Sequence, residues 1–267
     1  MDKAVILAAG RGSRMRRVQE SSQLTASQAE IARTGLKAMM PVGRPFIDYV
    51  LSGLADAGYR EVCLVIGPDH GALSDHVRSY KEARLKIHFA IQPDALGTAN
   101  ALAASSEFVG DDSFLLINSD NYYPGSALHG LRSVEGSAVA AFRPEGLLRG
   151  HIPAERLRNY AVLPVSQDGI LERVVEKPGE ELFSRLKDTA LISMNCWRFT
   201  PIIFDACRTI PRSARNEYEL TDAVSYTIAQ MGERFKVLVV NEPVLDLSTQ
   251  ADVSEVARRL ASIEVRL

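Results

Sequence analysis

Cysteine is scarce in this chain. Cys63, Cys196 and Cys207 are an odd number with no metal-ligand spacing. That argues against a disulfide framework or a thiolate metal centre, and it predicts buried, reduced thiols in a cytoplasmic protein. No apolar run is long enough to span a membrane, and the N-terminus passes straight into a strand, which predicts no secretory signal. An excess of one charge is also missing. Against 31 Lys and Arg stand 33 Asp and Glu, a net −2, so no general attraction to nucleic acid is expected and any phosphate contact must come from a local cluster. The five histidines are scattered, with no pair at ligand spacing. His88 alternates with Leu85, Ile87, Phe89 and Ile91, which predicts a solvated strand face and not a ligand. There is no Gly-Lys-Ser/Thr ending of a Walker A loop and no third glycine of a dinucleotide fingerprint.

What is present begins at the N-terminus. Lys3-Ala4-Val5-Ile6-Leu7-Ala8-Ala9-Gly10-Arg11-Gly12-Ser13-Arg14-Met15 reads as a buried strand running into a glycine loop. Glycine lets backbone N–H groups approach an anion closely, and Arg14 adds a forked cation. An ordinary strand-to-helix turn is the plain alternative; a phosphate cradle is the sharper one. The chain's 267 residues, 46% apolar and 24% charged, suit a soluble globular protein with a large core.

Strand and helix signals then alternate. Ala4–Leu7, Val62–Ile66, Lys86–Ile91 and Phe114–Ile117 read as strands; Pro45–Ala57, Leu73–Tyr80 and Thr98–Ser105 read as helices. This order predicts an α/β fold, a mixed but mostly parallel Rossmann-like sheet flanked by helices, with ligands at the carboxyl ends of the strands. After residue 137 the texture is strand-rich: Ala138–Phe142, Tyr160–Val165, Ile170–Val175 and Leu191–Phe199, with a hairpin turn at Gln167-Asp168-Gly169. Tyr218–Met231 is a helix, Phe235–Val240 a strand and Asp252–Ile263 a closing helix. A smaller β-rich lobe packed on the first part is expected within a single domain 1–267, divided near 137/138. Arg16–Gly35 is polar and long for a connection. It reads as a solvated loop or as a lid over the glycine loop, and its position favours the lid.

Several groups fall at strand ends. Lys37 follows the polar stretch and can bring an ammonium to the same phosphates. Gln92 with Gly97 and Thr98 can match a base edge that carries both donor and acceptor. Asp120 follows the strand Phe114–Ile117, where a carboxylate suits Mg²⁺ or, more plainly, caps a turn.

In order, these segments resemble the sugar-1-phosphate nucleotidyltransferase family. Leu7 to Met15 resembles its signature loop, with Ser13 where threonine is usual. Lys37 with Pro41-Val42-Gly43 and Pro45 resembles its lysine segment, and Gln92-Pro93-Asp94-Ala95-Leu96-Gly97-Thr98-Ala99 its base-reading segment. Ser119-Asp120-Asn121, Glu176-Lys177-Pro178, Ser213-Ala214-Arg215 with Glu219-Leu220-Thr221-Asp222, and Leu245-Asp246-Leu247-Ser248-Thr249 complete the set. The resemblance implies transfer of a nucleotidyl group from a nucleoside triphosphate to a sugar 1-phosphate, with Mg²⁺. It implies catalytic roles for Arg14, Lys37 and Lys177. It implies nucleotide contacts at Leu7, Ala9, Gly10, Gly12, Ser13, Gln92, Gly97 and Thr98. Sugar-phosphate contacts fall at Asn121, Ala161, Glu176, Lys177, Asn195 and Arg215, and metal ligation at Asp120 and Asp246. Gln92 favours UTP or dTTP. Homo-oligomerisation is left open.

Tyr160-Ala161-Val162 and Ser193-Met194-Asn195 depart from the family's Tyr-Gly-Val and Asn-x-Gly, so the acceptor need not be glucose 1-phosphate. Two other functions are weighed: cytidylyl transfer to a non-sugar phosphate such as phosphocholine, and a non-catalytic nucleotide-sugar sensor. The Glu176-Lys177 and Arg215 matches favour sugar, and two aspartates favour turnover.

Overall fold

The computed structural model describes residues 1–17, 23–80, 84–179 and 191–267. Its frame is one eight-stranded sheet with the order β3-β2-β1-β4-β8-β6-β9, β7 pairing with β8. The strands are β1 Lys3–Leu7, β2 Glu61–Ile66, β3 Lys86–Ile91, β4 Phe114–Asn118, β6 Ala138–Phe142, β7 Val162–Leu163, β8 Leu191–Phe199 and β9 Lys236–Val240. A two-stranded ladder, β5 Asn121–Tyr122 with β10 Leu245–Asp246, lies apart from it.

β1 pairs parallel with both β2 and β4, and β2 parallel with β3. Parallel strands covered on both faces carry continuous apolar runs, and Ala4, Val5 and Ile6 are fully buried. Alternate residues serve different cores: Ala4 and Ile6 join one cluster, Val5 the other. Strand order reverses around β1, with β2 on one side and β4 on the other, and the crevice at such a switch point receives ligands. There Leu7 lies opposite Asn118.

Antiparallel pairing of β8 with β4 carries β6 and β9 onto the same sheet, which is mixed and mostly parallel as expected. Three expectations are revised. Tyr160–Val165 is a strand only over Val162–Leu163. Ile170–Val175 is reduced to isolated bridges, Ile170 to Lys236, Leu171 to Val165 and Val175 to Val162. The turn between them forms as expected, with Gly169 at φ 73°.

The third revision concerns Arg16–Gly35. Of this segment, 18–22 lie outside the described residues, but Ala26–Thr34 is a helix. Thr25 Oγ1 accepts from Gln28 N at 3.3 Å, and Gln28 Oε1 accepts from Thr25 N at 3.0 Å, a reciprocal cap. Gly35, at φ 77°, ends it. No described helix is long and apolar enough to cross a membrane.

Candidate active site

The glycine loop leaves β1 with Ala8 N donating to Val65 O at 2.8 Å. Gly12 adopts φ 58°, and a Cβ there would lie 2.1 Å from Gly35 O; one on Gly35 would lie 2.4 Å from Arg11 O. No residue with a side chain fits this crossing. Arg16 Nη2 and Nε donate to Thr34 O at 2.7 and 3.1 Å, and Gln250 Nε2 donates to Met15 O at 2.9 Å. The end of the Ala26–Thr34 helix therefore clasps the loop and delivers Lys37, whose amide donates to Gly35 O at 2.9 Å.

Across the switch point, Ser119 N donates to Leu7 O at 3.1 Å, which sets Asp120 beside the loop. Lys37 Nζ lies 2.9 Å from Asp120 Oδ2. Asp246 pairs with Asn121 in the short ladder, and Leu247 N donates to Asp120 O at 2.8 Å. Two aspartates distant in sequence thus adjoin. Burial first, and the Asp120 charge second, raise the pKa of Asp246; bonds from Tyr160 and Ser248 and the Lys37 charge oppose the shift.

Among the described residues no group of three or more His, Cys, Asp or Glu is placed to hold a metal by itself. A pair of adjoining carboxylates, one raising the pKa of the other, is instead the donor set for a hard cation that completes its shell with water and phosphate oxygens. Asp120 and Asp246 fit that requirement.

Between these elements lies a cleft of about 530 Å³. Leu7, Ala9, Gly10, Gly12, Ser13, Gln92, Gly97 and Thr98 all line it, with Lys37 and Asp120. Gln92 is buried, and its Nε2 donates to Gly97 O at 3.0 Å and Asn100 Oδ1 at 2.8 Å. A carbonyl can only accept, so the amide nitrogen is committed inward and Oε1 is the group left for a ligand. The edge offered by the side chain is an acceptor.

Arg14 is exposed and is not on the cleft wall; Arg11 is. Glu217 also lines the cleft and was not foreseen. Its turn is tied to the Gly97 turn, since Tyr218 N donates to Leu96 O at 2.7 Å and Ala99 N to Tyr218 O at 2.9 Å. No sequence signal marks Glu217 apart from the charged residues around it.

Glu176, Lys177 and Arg215 gather outside the cleft walls. Glu176 is exposed as a residue, yet partial desolvation of its carboxyl raises its pKa, while Lys177 and Arg215 pull it down and Glu219 and Asp222 push it up. Lys177 holds φ 43°. Arg215 Nη2 and Nε lie 2.8 and 2.9 Å from Glu219 Oε1. Ala161 is buried, and Asn195 takes φ 55°, the left-handed backbone that glycine adopts most readily. The loss of glycine at 195 therefore leaves a glycine-like backbone in place. Asn121 Nδ2 donates to Tyr123 Oη and Met194 O, while its buried Oδ1 has no partner among the described residues.

The family model described as nucleotidyl transferase matches residues 3–259. A glucose-1-phosphate thymidylyltransferase of Streptomyces griseus is 28% identical over 258 residues, 96% of this chain and 65% of that one. The UTP–glucose-1-phosphate uridylyltransferase AglF of Haloferax volcanii is 27% identical over 260 residues, 97% of this chain and 96% of that one. A low-salt glycan biosynthesis nucleotidyltransferase of the same organism is 27% identical over 83% of this chain, which spans 56% of its length. Among solved structures, UDP-glucose pyrophosphorylase complexed with UDP-glucose superposes with a TM-score of 0.75 at 20% identity, covering 99% of this chain and all of that one, a likeness of fold. By the extent of the family match, the chain belongs to the nucleotidyl transferase family.

Proposed function

We propose that this chain transfers a nucleotidyl group from a nucleoside triphosphate, UTP or dTTP in preference, to a sugar 1-phosphate, with release of pyrophosphate. The observation that carries the reading is the meeting of Lys37 and Asp120 on the Gly10–Ser13 cleft, with Asp246 buried beside Asp120. The names of the relatives support it: thymidylyl and uridylyl transfer to glucose 1-phosphate are the activities those proteins are named for.

A phosphate monoester with a second pKa of about 6 is already largely dianionic at neutral pH. Its oxygen can attack the α-phosphorus in line without a general base. The barrier is charge repulsion between two phosphates, so cations and positioning do the work. Lys37, from the nucleotide side, counters triphosphate charge, aided by Arg11 on the cleft wall. Lys177 and Arg215 hold the acceptor phosphate, and Glu176, Asn121, Ala161 and Asn195 line the sugar side. Asp120 and Asp246 would hold Mg²⁺, which when bound supplies charge neutralisation at the transferring phosphate. Gln92 Oε1 accepts from the N3–H of uracil or thymine, whereas cytosine presents a lone pair there. Nucleotide recognition falls in 1–137 and acceptor recognition in 138–267. Three buried, unpaired cysteines support a cytoplasmic setting.

The test is pyrophosphate release with Mg²⁺ across the five common triphosphates, crossed with a panel of sugar 1-phosphates and phosphocholine. Turnover with UTP or dTTP and a sugar 1-phosphate is expected. Turnover with CTP and phosphocholine alone, or tight nucleotide-sugar binding with no turnover, overturns the reading.

A further inference from the structure

The Asp246 carboxylate is bound asymmetrically. Its Oδ2 accepts from Tyr160 Oη at 2.7 Å and from Ser248 Oγ at 2.8 Å, and it lies 3.5 Å from Arg156 Nη1. Among the described residues its Oδ1 has Ser248 Oγ alone, at 3.0 Å. Among them Arg156 Nη1 makes no hydrogen bond, and Asp246 Oδ2 is the carboxylate oxygen within ion-pair distance of it.

Behind this pair stands Asp252. Its Oδ1 takes Arg156 Nη2 at 2.8 Å. Its Oδ2 takes Ser248 N at 3.1 Å, Thr249 N at 2.7 Å and Thr249 Oγ1 at 2.9 Å. The same carboxylate therefore fixes both the guanidinium and the turn that follows Asp246. His151 Nε2 lies 2.8 Å from Asp246 O, and because a carbonyl only accepts, that nitrogen carries the proton. Backbone and side chain of Asp246 are thus held by separate groups.

Neither these partners nor Asp246 lines the cleft wall, where Asp120 stands. Groups that bond a carboxylate in this way are the outer-shell kind that orients a metal ligand. Tyr160 stands in the segment expected to line the sugar pocket, yet its hydroxyl is spent on Asp246.

We propose that Tyr160 and Arg156 are positioning residues which hold Asp246 Oδ2 inward and leave Oδ1 as the oxygen offered to the divalent cation. The proposal rests on the reading of Asp246 as a cation ligand given above. Arg156 also sets one positive charge against two enclosed carboxylates, those of Asp246 and Asp252.

The experiment is titration of the full chain with Mn²⁺, followed by the electron paramagnetic resonance of the free ion. The wild type is compared with Tyr160→Phe, Arg156→Ala, Arg156→Lys and Asp246→Asn, with thermal unfolding as a control on folding. Tyr160→Phe keeps the ring and removes only the hydroxyl; it should weaken Mn²⁺ binding by about tenfold or more, as loss of outer-shell partners does. Its kcat should recover toward the wild-type value at high Mn²⁺, with the KM for sugar phosphate little moved. Removing a positive charge alone would tighten cation binding, so weaker binding by Arg156→Ala reports positioning; Arg156→Lys should restore part of the loss. Wild-type Mn²⁺ affinity in folded Tyr160→Phe and Arg156→Ala, alongside loss in Asp246→Asn, overturns the proposal and leaves the reading of Asp246 intact. Undiminished binding by Asp246→Asn, or no binding by the wild type, overturns that reading and the proposal with it.

Discussion

Asp120 and Asp246 are joined through the backbone: the amide that follows Asp246, that of Leu247, donates to the Asp120 carbonyl at 2.8 Å. With the short ladder between Asn121–Tyr122 and Leu245–Asp246, this bond fixes the two backbones side by side. The Asp120 charge raises the pKa of Asp246, a repulsion that a cation would relieve.

Asp120→Asn keeps the shape and an acceptor for Lys37 but removes the charge. Turnover should fall at least about 100-fold, equivalent to ~2.7 kcal/mol of transition-state stabilisation. The Lys37–Asp120 pair is partly open to solvent, so unfolding free energy should move by no more than about 1 kcal/mol. Pyrophosphate release and thermal unfolding measure the two; near-normal rates remove Asp120 from the site.

Gly10 and Gly12 should separate fold from ligand. A Cβ on Gly12 collides with Gly35 O in a backbone of positive φ, so Gly12→Ala should distort the loop and lower stability by roughly 1–2 kcal/mol for the left-handed backbone alone. A Cβ on Gly10 meets nothing within 4 Å. Gly10→Ala should leave the melting temperature unchanged yet weaken UTP binding by calorimetry. Equal UTP affinity in folded Gly10→Ala would show that phosphates do not approach that backbone.

Gln92→Ala removes the acceptor and the two bonds that hold the Gly97 turn. The KM for UTP and dTTP should rise about tenfold or more, while that for CTP changes less. A uniform rise across all triphosphates would assign Gln92 to loop stability instead of base choice.

Asn195 holds φ 55° with its Oδ1 3.5 Å from Trp197 Nε1. Asn195→Gly, combined with Ala161→Gly, should fold as the wild type does and shift acceptor preference toward glucose 1-phosphate. An unchanged ranking across the sugar 1-phosphate panel would acquit both positions.

All three thiols are buried. Burial pushes Cys63 and Cys207 up to about 12 from the ordinary thiol value of 9. The folded state therefore binds more protons than the unfolded state between those values, and stability should fall as pH rises from 9 toward 12. Below that window the thiols should resist Ellman's reagent until the chain unfolds, and prompt labelling at pH 8 contradicts the buried placement.

The first half of the fold was legible because strands buried on both faces must be apolar at every position, as Ala4–Leu7 and Val62–Ile66 are. The helix Phe46–Asp56 announced itself through Phe46, Ile47, Val50, Leu51 and Leu54 at helical spacing. Ala26–Thr34 was hidden among polar residues, although Thr25-x-x-Gln28 and Gly35 were start and stop signals in plain view. Ile170–Val175 shows the opposite error. Alternation there states which side chains turn inward, but a strand also needs a partner along its length, and only three isolated bridges form around it. Within the site, the cleft-lining residues were readable because loops at strand ends inherit their place from the strands. The places of Arg11 and Glu217 on the cleft wall were not, since side-chain direction in a loop has no period.

What the sequence by itself determined is the set of elements and the polar residues at their carboxyl ends, because periodicity and turn chemistry act over a few residues. What only the tertiary structure decided is which ends meet. The Asn121–Asp246 ladder, the Lys37–Asp120 pair and the hold of Tyr160 and Arg156 on one oxygen of Asp246 all arise between distant segments. The contacts of Asp246 depend on the second half of the chain returning through β8 to the same sheet, a choice made by packing and strand pairing and not by any local preference.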